Sequence, residues 1–159
     1  MPKKSGGPSE ARSAAFRIAC FALIERGGEY LLAKRRDIGF WNLPGGGLES
    51  GETVEEGLAR EVIEEISVTI RVVRLVGVYS KPQKNEVVLT FLCKLATDDE
   101  PSSSEEVSQV GWFAPDRLPE NTLPKHRERI RDAAIGQREA VLRAQTSSTA
   151  EDQATLKRS

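Results

Sequence analysis

The sequence predicts an α/β fold in which helices cover both faces of a mixed β-sheet, an α/β/α sandwich. Two observations predict it: β-rich runs stand on both sides of a central amphipathic helix, and a second helical segment follows near the C-terminus. With 159 residues, 38% hydrophobic and 30% charged, the chain is long enough for one domain with a real core. We expect this domain over residues 14–144, between flexible polar tails at 1–13 and 145–159.

The strands come in two pairs. AFRIACFALIER and GGEYLLAKRR are joined at Arg26, Gly27 and Gly28, where glycine permits the positive φ of a tight hairpin. VTIRVVRLVGVYS and EVVLTFLCKL flank a turn at KPQKN. After the polar loop DDEPSSSEE, VSQVGWFAP predicts a short strand that ends at proline. Residues 125–144 predict a terminal helix with Gly136 in its middle.

A glycine-rich loop and a helix lie between the two strand pairs. WNLPGGGLESGE, residues 41–52, contains one proline and four glycines, which predicts a loop whose backbone can approach a ligand. Thr53 and Glu56 have the spacing of a capping box, and apolar residues recur every four positions up to Ile66, so we predict a helix over residues 53–66. Gly57 inside this helix costs about 1 kcal/mol relative to alanine, which indicates that a neighbour needs the space.

Three carboxylates share one face of this helix. Seven glutamates and a single arginine fall within residues 45–68, and Glu61, Glu64 and Glu65 lie within an arc of about 100°. A solvated acidic face is the ordinary interpretation, but it would normally include lysines at i,i+4, and only Arg60 is present. A divalent cation such as Mg²⁺ would relieve the repulsion better, and it suits phosphate chemistry beside a glycine-rich loop.

These residues resemble the signature of the Nudix hydrolase family. The matching positions are Gly46, Glu52, Arg60, Glu61, Val62, Glu64, Glu65 and Val68. Ser67 stands where the family has glycine, and a left-handed serine at the helix end would cost about 1 kcal/mol of stability without removing a ligand. The likeness extends over roughly residues 14–144 and implies a Nudix-type α/β/α sandwich with a mixed central sheet.

The resemblance implies hydrolysis of a nucleoside diphosphate that is linked to another group, by attack of water on the pyrophosphate. It implies one to three Mg²⁺ or Mn²⁺ ions on Glu61, Glu64, Glu65 and the carbonyl of Gly46. Glu52 and Arg60 would orient the loop and the helix. A carboxylate would accept the proton of the water, and the candidates are Glu64 and the more distant Glu106, with Glu105 and Glu86 as rivals.

The choice of substrate depends on residues outside the signature. Arg35 and Arg36 could bind phosphate or could be solvated hairpin residues, with Lys81 and Lys84 as weaker candidates. Phe40 and Trp41 could stack on a base or could pack in the core.

Pro82 resembles a marker of family members that cleave ADP-ribose and related nucleoside diphosphate sugars, although a turn would favour proline anyway. We therefore expect such a small-molecule nucleotide substrate. The alternatives are an oxidised nucleoside triphosphate and a non-catalytic nucleotide-binding module.

Composition and termini bear on location and partners. The pI near 6.0 argues against general nucleic-acid binding. The chain has no apolar run of 18 residues, and MPKKSGGPSEARS lacks the apolar centre of a signal peptide, so we expect a cytoplasmic protein that does not engage membranes. Cys20 and Cys93 lie in apolar runs and are expected to be buried free thiols. A homodimer is expected only by analogy with the family.

Overall fold

The first two strands form the hairpin that the glycine pair predicts. The structure is a computed structural model that describes residues 15–157, in which β1 is Arg17–Arg26 and β2 is Glu29–Arg35. Gly27 and Gly28 have φ of 59° and 83°, and a two-residue hairpin turn of type I′ needs positive φ at both positions. The tail predicted over residues 1–13 lies outside the described residues.

The strands form a mixed sheet with β1 near its centre. The strands after β2 are β3 (Trp41–Asn42), β4 (Gly45–Gly47), β5 (Ile70–Lys81), β6 (Glu86–Leu95), β7 (Val107–Phe113) and β8 (Val141–Ala144). The order is β3-β2-β1-β6-β5-β8, while β4 pairs with β1 and β7 with β2. Because β1 runs parallel to β6 and antiparallel to β2 and β4, the prediction of a mixed sheet is confirmed.

Helices cover both faces of the sheet, as the sandwich prediction requires. Helix α1 is Val54–Ile66 and helix α2 is Pro124–Ile135. Ala22 and Ile24 of β1 pack in one core cluster with α1, whereas Leu23 packs in a second cluster with α2. Alternate residues of a strand point to opposite faces, so β1 contributes to both cores. Within residues 15–157, no helix is long and apolar enough to cross a membrane.

The glycine-rich segment 41–52 is not a loop throughout, so that prediction was wrong in part. It contains the short strands β3 and β4, and the three glycines of β4 pair with Ala19–Phe21 of β1. A Cβ at Gly45 would lie 2.1 Å from the carbonyl oxygen of Cys20, which admits no side chain. The glycines therefore permit close strand pairing as well as close approach to a ligand.

The terminal helix predicted over residues 125–144 is too long. Helix α2 ends at Ile135, where Gly136 takes a left-handed conformation with φ 76°. The N–H of Gly136 donates to the carbonyl of Ala133, which satisfies one of the free carbonyls at the helix end. Residues 141–144 then form β8, which runs parallel to β5 at the edge of the sheet. Gly136 thus ends the helix, where we had expected it only to interrupt one.

Residues 145–157 differ from the flexible polar tail that we expected. Helix α3 is Thr149–Lys157, and its first turn is capped by Ser148, whose hydroxyl accepts from the N–H of Glu151 at 3.1 Å. Gln145 and Asp152 are buried. The side chain of Gln145 accepts a hydrogen bond from Arg129 at 2.7 Å. Buried polar contacts therefore attach a segment that has almost no apolar surface.

Both cysteines lie in the core on the α1 side of the sheet. Cys20 and Cys93 are free and buried, as predicted. Burial raises the pKa of Cys20 to about 11 and that of Cys93 to about 12, so both thiols stay protonated at neutral pH.

Candidate active site

Helix α1 presents its carboxylates because its ends and its apolar face are fixed. The predicted capping box is present: Thr53 Oγ1 accepts from the N–H of Glu56 at 3.2 Å, and Glu56 accepts from the N–H of Thr53 at 3.0 Å. Leu58, Val62 and Ile66 are buried in the core. The face that carries Glu61, Glu64 and Glu65 is therefore turned toward β4 and a cleft beside it.

Glycines allow α1 and the glycine-rich segment to approach each other closely. A Cβ at Gly46 would lie 2.6 Å from the carboxyl carbon of Glu61. A Cβ at Gly57 would lie 2.4 Å from a methyl of Leu48 and 2.7 Å from Glu52 Oε2, so a neighbour does occupy the space that Gly57 leaves. The N–H of Gly45 donates to Glu65 Oε2 at 3.2 Å. These contacts place the backbone of Gly45 and Gly46 directly against helix α1.

Arg60 links the carboxylates of the signature. Its guanidinium bonds Glu52 through Nε and Nη2, and Nη1 donates to Glu61 at 3.1 Å and to Glu64 at 3.4 Å. Nη2 also donates to the carbonyl of Gly47 at 3.1 Å. Hydrogen bonds from Arg60 first, and from the backbone N–H of Glu49 second, hold the pKa of Glu52 below its usual range. These contacts support the orienting role predicted for Glu52 and Arg60.

The predicted acids and cations meet in a cleft of about 690 Å³. Of the residues predicted for the site, those that line it are Arg35, Arg36, Gly46, Arg60, Glu61, Glu64, Glu65, Glu106 and its rival Glu105. Sequence reasoning missed Arg17, Phe21 and Asn42, which also line it. Arg17 and Phe21 belong to β1, and only the pairing of β1 with β4 brings them here. No local pattern in the sequence could have identified them.

The carboxylates of α1 are in an environment that disfavours their charge. Burial raises the pKa of Glu65 to about 8, against the opposing hydrogen bond from Gly45, and the charges of Glu61 and Glu106 raise it further. Burial also raises the pKa of Glu61, although Arg60 opposes the shift. Desolvated carboxylates that repel one another are a donor set that a hard divalent cation would stabilise.

The side chains as they stand do not form a ready cation site. Among residues 15–157, no three His, Cys, Asp or Glu residues converge closely enough to hold a metal ion. Glu61 and Glu64 turn toward Arg60, and Glu65 accepts from Gly45. Carboxylate oxygens are suitable ligands for a divalent ion. In this structure, however, the side chains of Glu61 and Glu64 adopt conformations in which Arg60 bridges them.

Arg36 fixes the loop that carries Glu106. Its guanidinium donates to the carbonyls of Ser104 at 2.9 Å and of Glu105 at 3.1 Å, and its N–H donates to the carbonyl of Glu106 at 2.8 Å. Arg35 pairs with Asp37 at 2.6 Å. Both arginines predicted to bind phosphate line the cleft. The donors of Arg36, however, form hydrogen bonds to carbonyls of the protein itself.

Several residues singled out from the sequence do not line this cleft, among them Trp41, Pro82 and Glu86. Trp41 is 8% exposed and packs edge-to-face on Phe113 with ring centroids 5.1 Å apart, which favours the packing alternative over stacking on a base. Pro82 begins the 3₁₀ turn Pro82–Lys84 between β5 and β6. Glu86, a rival for the proton acceptor, pairs with Lys81 at 2.7 Å and with Arg17 at 3.5 Å.

A mixed sheet between two helical layers, with an acidic helix against a glycine-rich strand, is the arrangement that the resemblance to the Nudix family implies. A sequence profile of the NUDIX domain matches residues 15–133. The chain belongs to the Nudix family, and it is a Nudix hydrolase with pyrophosphohydrolase relatives. Members of this family generally need divalent metal ions.

Named relatives differ in substrate. A MutT-like protein of Streptomyces ambofaciens is 38% identical over 81% of this chain and 84% of its own. A putative 8-oxo-dGTP diphosphatase of Bacillus subtilis is 29% identical over 72% and 76%. An ADP-ribose pyrophosphatase of Methanocaldococcus jannaschii is 31% identical over 72% and 71%. Among solved structures, a NUDIX hydrolase from Nitrosomonas europaea superposes with a TM-score of 0.73 at 26% identity, over 82% of this chain and 79% of that one.

Proposed function

We propose that this Nudix hydrolase cleaves the pyrophosphate bond of ADP-ribose or a related nucleoside diphosphate sugar. The observation that carries the proposal is the cleft of about 690 Å³, in which the carboxylates of α1 face Arg17 and Arg35. Its volume is in the range of sites for nucleotide-sized ligands. Carboxylates suit metal ions on one side, and arginines suit the oxygens of a pyrophosphate on the other.

We place Mg²⁺ or Mn²⁺, one to three ions, on Glu61, Glu64, Glu65 and the carbonyl of Gly46. When bound, such ions would offset the charge of the pyrophosphate oxygens and acidify the attacking water. The raised pKa values of Glu61 and Glu65 support this placement, because a nearby cation would remove the penalty on their charge.

In the proposed reaction, the oxygen of a water molecule attacks one phosphorus of the pyrophosphate. The bond from that phosphorus to the bridging oxygen breaks, and the bridging oxygen leaves with the electron pair as part of the second phosphate. The water proton passes to a carboxylate, and we favour Glu106, which lines the cleft from the loop before β7, over Glu64 and Glu105. Arg60, held by Glu52, orients Glu61 and Glu64.

Two substrate classes have specific support. The ADP-ribose pyrophosphatase relative, 31% identical, and Pro82 favour a nucleoside diphosphate sugar. The putative 8-oxo-dGTP diphosphatase relative, 29% identical, favours the alternative, hydrolysis of an oxidised nucleoside triphosphate. A non-catalytic nucleotide-binding module has less support, because every glutamate of the signature is present.

The test is a substrate panel with the full-length protein. ADP-ribose, nucleoside diphosphate sugars, dinucleoside polyphosphates and nucleoside triphosphates including 8-oxo-dGTP would be assayed with Mg²⁺ and with Mn²⁺. We expect AMP from ADP-ribose with a higher kcat/KM than for any triphosphate. Faster release of pyrophosphate from a triphosphate would reverse the ranking, and no hydrolysis with either metal would refute both classes. Light scattering on the same preparation would test the proposed homodimer.

A further inference from the structure

A second, smaller cavity adjoins the catalytic cleft. It has a volume of about 150 Å³, and it shares Arg17, Phe21, Arg35, Asn42 and Gly46 with the cleft. We call it the basic chamber, because its wall contains six cations: Arg17, Arg35, Lys81, Lys84, Lys125 and Arg129. The shared residues make the chamber an extension of the cleft.

The chamber keeps an excess of positive charge after its ion pairs are counted. Glu86 is shared between Lys81 and Arg17, Asp37 pairs with Arg35, and Asp152 pairs with Lys125 at 3.2 Å. Six cations less these three acids leave a net charge of +3. Lys84 forms no ion pair within residues 15–157, although its charge helps to lower the pKa of Glu86. Arg129, 1% exposed, hydrogen-bonds the neutral Gln145 and lies over two aromatic rings.

His126 adds a neutral donor to this wall. Its Nδ1 accepts the backbone N–H of Leu43 at 3.0 Å, so its proton is on Nε2. Burial first, and the surrounding cations second, hold the pKa of His126 well below its usual value, so the ring is neutral at physiological pH. Nε2 makes none of the hydrogen bonds within residues 15–157, and Arg129 Nη1 is a buried donor without a partner there. An acceptor group in the chamber would satisfy it.

We propose that the basic chamber binds a phosphate monoester on the part of the substrate that lies beyond the scissile pyrophosphate. This inference rests on the proposed function, since it names a feature of the substrate of the same cleft. A phosphate monoester carries about −1.5 to −2 at pH 7, which matches the excess charge better than a single carboxylate does. The volume of about 150 Å³ is several times the roughly 30 Å³ of one water, which is enough for one phosphate group.

One carboxylate of the chain already contacts a cation of the chamber wall. The carboxylate of Asp152, 4% exposed, reaches the chamber wall from α3 and contacts Lys125. Lys84 and His126 remain for a ligand, because neither is paired with an acid among residues 15–157. Lys84 is exposed on the 3₁₀ turn, so its replacement should leave the fold intact.

The test compares two ligands by calorimetry, on the full-length protein without added divalent metal, so that nothing is turned over. The ligands are ADP-ribose and its derivative with one more phosphate on the distal ribose, with inorganic phosphate as a third arm. We expect the phosphorylated derivative to bind at least tenfold more tightly than ADP-ribose. Lys84→Gln and His126→Asn should each reduce that ratio several-fold, because asparagine can still accept from Leu43 but lacks the Nε2 donor. Lys34→Gln, which removes a charge outside both cavities, should preserve the ratio.

Equal affinity of the parent protein for the two ADP-ribose ligands would overturn the inference, as would an unchanged ratio in both chamber variants. Tight binding of inorganic phosphate with a ratio near one would also overturn it, since the chamber would then be a site for free phosphate. The proposed function fails separately, by the absence of hydrolysis in the substrate panel. A preserved binding preference without hydrolysis would therefore refute only the reaction.

Discussion

Arg60 neutralises a cluster of carboxylates that would otherwise repel one another. It lies within 3.6 Å of Glu49 and bonds Glu52, Glu61 and Glu64. A metal ion on α1 would compete with Arg60 for Glu61 and Glu64, whereas Glu52 would keep its bond. Glu52 therefore keeps the guanidinium of Arg60 beside the helix whether or not a metal ion is bound. This explains why Glu52, which supports the site, lies outside the helix that carries the proposed metal ligands.

The carboxylates of α1 should be required for turnover. Glu64→Gln and Glu65→Gln keep shape but remove one negative charge each, and we expect kcat to fall at least about 100-fold, the scale of losing a positioned charge in the transition state. Glu55→Gln, exposed on the same helix and outside the signature, should lose little. Steady-state kinetics on the best substrate would measure this. Full activity in all three variants, with no thermal shift of the parent on adding Mg²⁺, would refute the metal site.

Glu65 should make the metal-free protein less stable as the pH rises. Its folded pKa of about 8 lies above the unfolded value of 4.5, so the folded state binds more protons between these values. The stability that this proton contributes is present below about pH 4.5 and is lost as the pH rises through 8. The Glu65→Gln variant does not lose stability in this way. Its Tm should lie a few degrees above that of the parent protein at pH 8.5 and should equal it at pH 4.5. Scanning calorimetry in the presence of a chelator would measure both Tm values. A difference in Tm that is the same at pH 4.5 and pH 8.5 would contradict this prediction.

Ser67 is the residue at which the chain departs from the family signature. It ends α1 with φ 60° and ψ 34°, and its N–H donates to the carbonyl of Ile63 at 3.0 Å. Ser67→Gly should raise the free energy of unfolding by about 1 kcal/mol, because glycine adopts this conformation without strain. Chemical denaturation would measure the gain, and kcat should be unaffected. A destabilised glycine variant would show that the hydroxyl has a role of its own.

At the scale of elements, the contact between α1 and the glycine-rich segment should control activity more than stability. Gly57→Ala gains about 1 kcal/mol of helix propensity, while its methyl meets only the flexible ends of Leu48 and Glu52. We expect the free energy of unfolding to change by less than about 1 kcal/mol, and kcat to fall about tenfold because Glu52 is pushed from Arg60. Glu55→Ala is the matched exposed control. A stability loss without a change in kcat would contradict this account.

The C-terminal segment should contribute to stability through one side chain. Gln145 accepts from Arg129 Nε at 3.2 Å and Nη2 at 2.7 Å, and it donates to the carbonyl of Lys125 at 3.0 Å. Gln145→Ala leaves buried donors of a charged group without a partner, which costs about 2–3 kcal/mol. Gln137→Ala, at an exposed position, should cost less than about 0.5 kcal/mol. Equal denaturation midpoints for the parent protein and Gln145→Ala would show that residues 145–157 behave as the independent tail that the sequence predicts.

The helices and hairpins that could be predicted are those whose sequence signals are local. The glycine turn, the capping box of Thr53 and the four-residue apolar repeat each act within a few residues, and α1 and both hairpins follow from them. Gly136 misled the prediction because a glycine in a helix can be tolerated or can end it, and the pairing of β8 with β5 decides which. That pairing lies outside any local window.

At the scale of the whole molecule, charge is separated far more than a net charge of −1 suggests. The carboxylates of α1 and the loop at Glu105 and Glu106 form one side of the cleft, and the basic chamber extends the other. The signature predicted the acidic side, because its residues are close in sequence. The basic side could be predicted only in part. Arg35, Lys81 and Lys84 were candidates from the sequence, whereas Arg17, Lys125 and Arg129 come from β1 and α2, in distant parts of the chain.

The position of β1 in the sheet has a consequence for how the site can open. Residues 19–21 pair with β4 along one edge and with β6 along the other, so the strand that fixes the signature glycines has no free edge there. Its side chains also enter both cores. Detaching the glycines from their place would expose strand edges and apolar surface on both faces at once. The amide hydrogens of strand β4 should therefore exchange only with global unfolding, and this strand shares the kinetic lifetime of the whole domain.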